Sequence, residues 1–212
     1  MLNSSDYYLP DIQLLEKESK RFMIWIPDES YIVLGASNKA EDALFLENVK
    51  RDNISVLKRP SGGQTVMLTP NNLIIAVAFS DPNSVKPKDV FNQMNMLIIG
   101  ALEESGITNL RLSGISDIAI LEKKILGSAI YRSKDKLLYH AVLNLGEPAS
   151  TFEKYLKHPS KEPDYRKGRK HTDFVTSLLE SGCSLSYKQL ENAINKAFEK
   201  QIPYNRLKRF VG

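Results

Sequence analysis

Two short stretches of this 212-residue chain carry residue types that could do chemistry. The first is Lys58-Arg59-Pro60-Ser61-Gly62-Gly63-Gln64-Thr65-Val66. A basic pair leaves an apolar run, a Gly-Gly turn follows, and a second apolar run begins. Glycines let a backbone approach a ligand closely and offer it N–H groups. Arg59 carries the fork that holds a carboxylate or phosphate through two parallel hydrogen bonds. The second stretch is Ser116-Asp117-Ile118-Ala119, followed by Lys123-Lys124-Ile125-Leu126-Gly127-Ser128-Ala129. If these form a hairpin, Asp117 and Lys124 lie near one another across it. An ammonium is a point charge suited to an acyl carbonyl or a phosphate, and a neighbouring carboxylate can orient it or bind a metal ion. Taken alone, each stretch is also that of an ordinary hairpin, the second with an exposed salt bridge.

The elements that must position these residues can be read from periodicity. Runs rich in Ile, Val, Leu and Tyr, bounded by Pro, Gly, Asn or Asp, predict strands at 22–26, 31–34, 54–58, 65–68, 73–79, 117–121 and 137–145. Thr69-Pro70-Asn71-Asn72 is turn chemistry, which predicts a hairpin of 65–68 with 73–79. From 88 to 105, Val90, Phe91, Met94, Leu97, Ile98, Ala101 and Leu102 make one apolar helical stripe, closed by Gly106. Ser186 with Gln189 reads as a capping box ahead of a helix whose stripe is Leu190, Ile194, Ala197 and Phe198. Further helices are predicted at 171–181, ending at Gly182, and at 40–50. The segment 158–170 reads as a loop. Strands and helices do not alternate regularly, so the expected class is α+β: a mixed, mostly antiparallel sheet flanked by helices.

With the elements in place, the two stretches and their order resemble the lipoate–protein ligase and octanoyltransferase family. The segments that carry the resemblance are KRPSGGQTV, ISDIAI, EKKILGSAIYR and YHAVLNL, with Ile32-Val33-Leu34-Gly35-Ala36-Ser37-Asn38 upstream and EPDYRKGRKHTDFVTSL downstream. The likeness runs from about Asp11 to Leu179. It implies a biotin/lipoate ligase-like fold and a ligase that uses ATP and Mg²⁺ to activate lipoate as an acyl-adenylate. The acyl group then passes to a lysine of a lipoyl-carrier domain. Lys124 matches the catalytic lysine. Arg59, Ser61, Gly62 and Gly63 match a wall of the acyl and phosphate pocket. Asp117 matches an acidic position near the nucleotide and its metal ion. Gly127, Ser128 and Ala129 match residues that let ligand lie close to the strand, His140 matches the histidine of the following strand, and Gly35 shapes the strand upstream.

The chain also departs from the family pattern. Gln64 stands for a third glycine, Ala141-Val142 for Gly-Thr, and Ser116 for asparagine. These departures, and length, keep two alternatives: an octanoyl or lipoyl transferase that takes its acyl group from a carrier thioester without ATP, and a non-catalytic binder of lipoate or carrier. Cys183 lies outside every motif, which disfavours a cysteine acyl-enzyme. Only residues 183–212 follow Gly182, too few for the accessory domain many ligases carry. We therefore expect one catalytic domain over 1–212 and allow a separate accessory chain.

Composition bounds the rest. No apolar run approaches the roughly 20 residues of a membrane span, and residues 1–10 lack the pattern of a signal peptide. A single cysteine fits a reducing cytoplasm. His140, His158 and His171 are scattered, without zinc spacing. The net charge of +4 favours acidic partners. Basic residues crowd into 154–170, which points to an acidic carrier surface; no aromatic-rich signature of nucleic-acid binding interleaves them.

Overall fold

A computed structural model describes residues 4–16, 21–80 and 86–201. In chain order the strands and helices are β1 (Ser5–Asp6), α1 (Gln13–Glu16), β2 (Phe22–Trp25), β3 (Tyr31–Leu34), α2 (Ala40–Ala43), α3 (Leu46–Arg51), β4 (Ser55–Lys58), β5 (Val66–Leu68), β6 (Asn72–Phe79), α4 (Pro87–Glu104), β7 (Leu110–Ser113), β8 (Asp117–Ile120), β9 (Lys123–Arg132), β10 (Leu137–Asn144), α5 (Ala149–Tyr155), α6 (His171–Phe174) and α7 (Tyr187–Gln201). The class is α+β, as expected. A six-stranded antiparallel sheet has the order β2-β6-β10-β9-β8-β7. A four-stranded mixed sheet has the order β1-β4-β3-β5.

β6 is buried along its whole length because both of its faces are covered. Leu73, Ile75, Val77 and Phe79 join a core with α4 and α7 on one side. Ile74 packs with Val33, Leu57 and Leu68 of the smaller sheet on the other, while Ala76 and Ala78 meet Leu14 of α1. The large sheet is therefore the middle layer, with helices behind it and the small sheet in front.

The two helix ends expected from sequence form as the chemistry requires. Gly106, at φ +88°, closes α4 while Ile107 N–H donates back to Leu102 O and Gly106 N–H to Glu103 O, the paired bonds of a left-handed helix cap. At α7, Gln189 Oε1 accepts from both the backbone N–H and the hydroxyl of Ser186.

Three expectations are corrected, and one strand is added. The strands at 65–68 and 73–79 are not a hairpin. Thr69–Asn72 turns the chain from one sheet into the other, so β5 pairs with β3 and β6 lies between β2 and β10. Asn72 Oδ1 accepts from Thr69 N–H, and Glu147 accepts from the Thr69 hydroxyl and Asn71, which fixes the corner. The helix expected at 40–50 is split into α2 and α3, because fully buried Leu44 leaves the helix to bridge to Leu156. The helix expected at 171–181 is only α6. After it the chain runs along β9, where Thr176 N–H donates to Lys124 O. β7, unpredicted, forms the edge next to β8. No helix among the described residues is long and apolar enough to cross a membrane.

Candidate active site

Between the two sheets lies a cavity of about 1140 Å³. Its floor is the inner face of the large sheet, where cross-strand registers set two rows. Ile74, Val142, Gly127 and Asp117 make one; Ala76, His140 and Ala129 make the next. Side chains two apart along a strand share a face, about 7 Å from one another. Glycine and alanine at 127 and 129 keep this floor low.

Lys124 stands at one end. A register shift in the β8–β9 pairing sets Lys124 opposite Ala119 and Gly127 opposite Asp117. The lysine side chain folds back over Gly127: a β-carbon there would lie 2.6 Å from Nζ and 2.7 Å from Cε. That clash gives a physical reason for the lysine–glycine spacing. Nζ is 2.8 Å from Asp117 Oδ1, with the lysine side chain 30% exposed and the aspartate 7%. Ser128 closes the same hairpin, its hydroxyl donating to Ser116 O at 2.7 Å.

Arg59 lines the cavity but turns its fork toward the backbone. It is buried, and its guanidinium donates to Val33 O at 3.1 Å, Gly62 O at 2.9 Å and Gln64 O at 2.8 Å. Burial lowers its pKa to about 10, and Nε meets no partner. Its fork therefore frames the Gly-Gly turn. Gly35 completes that frame, since a β-carbon there would sit 2.1 Å from Gly63 O. Gly63 itself has φ +92°. Arg59, Gly63, Asp117, Lys124 and His140 all border this cavity, as do Gly127, Ser128 and Ala129; Gly35, Ser61 and Gly62 do not. Gly62 is exposed and a β-carbon on it would touch nothing, so its backbone is not sterically constrained.

Sequence reasoning missed a buried polar chain at this end. Ser61 Oγ is 2.8 Å from His140 Nε2, His140 Nδ1 is 3.5 Å from Asp11 Oδ2, and the Tyr7 hydroxyl donates to Asp11 Oδ1 at 2.7 Å. Asp11 is fully buried. Asp11 Oδ2 has no hydrogen-bond partner, and which of Ser61 Oγ and His140 Nε2 donates follows from the tautomer of the ring. Burial and Asp11 push the Tyr7 phenol far above its ordinary range. Tyr7 and Asp11 carry no motif in the sequence.

The wall facing Lys124 comes from 158–175, also largely unassigned from sequence. Glu162 accepts from Gly168 N–H, and its other oxygen lies 2.9 Å from His158 Nε2 and 3.4 Å from Arg166 Nε. The guanidinium groups of Arg166 and Arg169 lie 4.8 and 5.2 Å from the Phe174 ring. His171 is buried, and desolvation together with the charge of Arg166 lowers its pKa to about 4, so it is neutral near pH 7. Much of the basic run is thus tied up within the fold: Lys154 also pairs with Asp52, and Lys157 donates to Glu41 O. Cys183 lies apart from this site, half-buried against the main core.

The geometry suits a long acid: a cation at the head, a low floor of small residues, and further polar groups beyond the lysine. The family profile described as lipoyl protein ligase A/B catalytic domain matches residues 5–199. Lipoate-protein ligase A of Psychrobacter cryohalolentis is 28% identical over 190 residues, covering 88% of this chain and 53% of that protein. The chain thus spans about half the length of this curated relative. Two solved structures share the fold. One, a lipoate-protein ligase A bound with ATP, has a TM-score of 0.75 at 19% identity, over 95% of this chain and 86% of that one. The other, a bi-partite lipoate protein ligase with its E2 lipoyl domain from Thermoplasma acidophilum, has a TM-score of 0.73 at 23% identity, over 85% and 70%.

Proposed function

The chain belongs to the lipoyl protein ligase A/B catalytic domain family, and we propose that it activates lipoate with ATP and passes the lipoyl group to a lysine of a carrier domain. The observation that carries this reading is the Lys124 ammonium, seated over Gly127 against Asp117 at the end of a floor of small residues. In the first half-reaction a lipoate carboxylate oxygen attacks the α-phosphorus of ATP and pyrophosphate leaves. In the second, the carrier lysine amine attacks the acyl carbonyl, the amide forms and AMP leaves. Negative charge develops on the phosphoryl oxygens in the first and on the carbonyl oxygen in the second. A fixed cation beside both stabilises each transition state. In this reading the acyl chain runs from Lys124 over Gly127 and Ala129 towards His140. The nucleotide lies on the side of Asp117 and 158–175.

Mg²⁺ fits as an ion carried in with the nucleotide. Asp117 supplies one carboxylate beside Lys124, and among the described residues no group of three His, Cys, Asp or Glu forms a cage. Mg²⁺ at such sites uses one or two carboxylates, phosphate oxygens and water. When bound it would neutralise phosphate charge. The carrier domain, a separate accessory chain and a cytoplasmic setting belong to the same proposal; likeness in fold to a two-part ligase supports the accessory chain.

The test is mass spectrometry of a carrier domain incubated with the protein, lipoate, ATP and Mg²⁺, beside a parallel incubation with octanoyl-carrier and no ATP. We expect lipoylation in the first alone. Transfer in the second alone would establish the thioester-dependent transferase, and modification in neither would leave a binder.

A further inference from the structure

Asp117 has two carboxylate oxygens, and each takes a different partner. Oδ1 faces Lys124 Nζ at 2.8 Å. Oδ2 accepts from the Tyr165 hydroxyl at 2.9 Å. Tyr165 lies in a single 3₁₀ turn, Asp164–Arg166, entered through Pro163. Its hydroxyl reaches Asp117 of β8, and the rest of the residue is held from several sides. The ring packs on Phe174 at 5.0 Å between centroids. Arg169 Nη2 donates to its carbonyl oxygen at 2.8 Å, and Arg166 and Arg169 donate to one another's carbonyl oxygens. The β7–β8 turn docks against the same place: a β-carbon on Gly114 would come within 3.2 Å of Pro163 and 3.5 Å of the Tyr165 ring.

We propose that Tyr165 is a positioning residue for the activation half-reaction, fixing Asp117 so that Asp117 holds Lys124 in register with the reacting phosphate and carboxylate. A carboxylate bonded through one oxygen alone can rotate about its Cβ–Cγ bond. With a donor fixed on each oxygen it cannot, and the lysine opposite it then has one seat. The segment 158–170 is thereby part of the lysine's support as well as a wall of the cavity. This inference rests on the ligase reading of the site.

The experiment is a double-mutant cycle with Tyr165→Phe and Asp117→Asn, read by lipoate-dependent exchange of pyrophosphate into ATP. Phenylalanine keeps the ring on Phe174 and removes only the hydroxyl, so melting temperature should move little. We expect kcat to fall by about tenfold, within what small displacements of a reacting group cost, while KM for lipoate and for ATP stay within twofold. In the Asp117→Asn background the same change should cost almost nothing further, because both act through one carboxylate. Losses that multiply, a change confined to KM for ATP, or an unchanged kcat would each overturn the inference. A second readout needs no turnover. In the ligand-free protein, the ¹⁵N ammonium signal of Lys124, identified by its loss in Lys124→Arg, should broaden through faster exchange with water in Tyr165→Phe. An unaltered signal would overturn the inference even if the wild type shows no exchange activity; absent wild-type exchange would itself count against the ligase reading.

Discussion

The two ends of the cavity use their charged and polar residues in opposite ways. Around the Gly-Gly turn, Arg59 spends donors on three backbone carbonyl groups, Ser61 and Asp11 flank the two nitrogens of His140, and Tyr7 donates to Asp11. These groups hold one another and the chain around them. At the other end Lys124 meets a single carboxylate and keeps an exposed face. Both ends come from motifs that read, in sequence, as anion-binding. Of Arg59 and Lys124, it is Lys124 that a ligand could reach without dismantling the fold. A guanidinium beside glycines is equally able to bind a phosphate or to fasten a turn, and the deciding factor is how many carbonyl oxygens the fold brings within its reach.

By this division the largest effect on chemistry follows loss of the Lys124 ammonium. Lys124→Ala should lower the rate of lipoyl-adenylate formation by about 10²–10³, or roughly 2.7–4 kcal/mol, with little change in melting temperature. Lys124→Arg should rescue poorly, because a planar fork does not fit the seat of a point charge over Gly127. Separate assays of adenylate formation and of transfer to the carrier check this, and wild-type rates of both in a folded Lys124→Ala protein would defeat the assignment.

Two glycines sharpen the contrast. A β-carbon on Gly127 clashes with the tip of a flexible side chain, Lys124 Cε and Nζ, and lies at an ordinary 3.6 Å from Asp117 Oδ1. Gly127→Ala should therefore leave stability nearly unchanged and reduce the adenylation rate by about tenfold or more, the scale set by displacing a reacting group. A β-carbon on Gly35 meets backbone, Gly63 O at 2.1 Å. Gly35→Ala should cost roughly 1–3 kcal/mol of stability, as overpacking does. Paired thermal melts and rate measurements would show stability falling in one variant and rate in the other; equal falls in both would erase the distinction between a binding end and a framing end.

How much of this was legible in sequence varies with the range of the interaction. The long helices were clear because their stripes and caps are local: Gly106 and the Ser186–Gln189 box function as their spacing implies. The Asp117–Lys124 pair was also local, two strands of one hairpin. What failed was non-local. Thr69–Asn72 is a turn in either case, but whether the strands beyond it pair or part depends on β3 and β10 competing for them. Nothing in the N-terminal segment announced that Asp11 would be buried against His140. Arg59 was identified as important, yet its partners Val33, Gly62 and Gln64 are backbone oxygens, which leave no trace in residue type.

The smallest expected effect concerns the outer rim. Counted from sequence, the basic run 154–170 offers Lys154, Lys157, Lys161, Arg166, Lys167, Arg169 and Lys170 to an acidic carrier. The fold reduces that offer. Lys154 pairs with Asp52, Lys157 donates to a carbonyl oxygen, and Arg166 and Arg169 stack on Phe174. Lys161, Lys167 and Lys170 remain exposed. Exposed charges act mainly on association rate, and at 0.15 M salt they are screened beyond about 8 Å. Lys161 also lines the cavity, so the clean test replaces Lys167 and Lys170 by alanine, which should slow carrier modification only a few-fold at low salt and scarcely at all at high salt. Adenylate formation, which involves no carrier, should be untouched. The measurement is carrier lipoylation at limiting carrier concentration across a salt series, beside lipoate-dependent pyrophosphate exchange in the same buffers. A salt-independent wild-type rate would remove the electrostatic account of carrier docking, and a loss of exchange in the double variant would move Lys167 and Lys170 from the rim into the nucleotide end of the cavity.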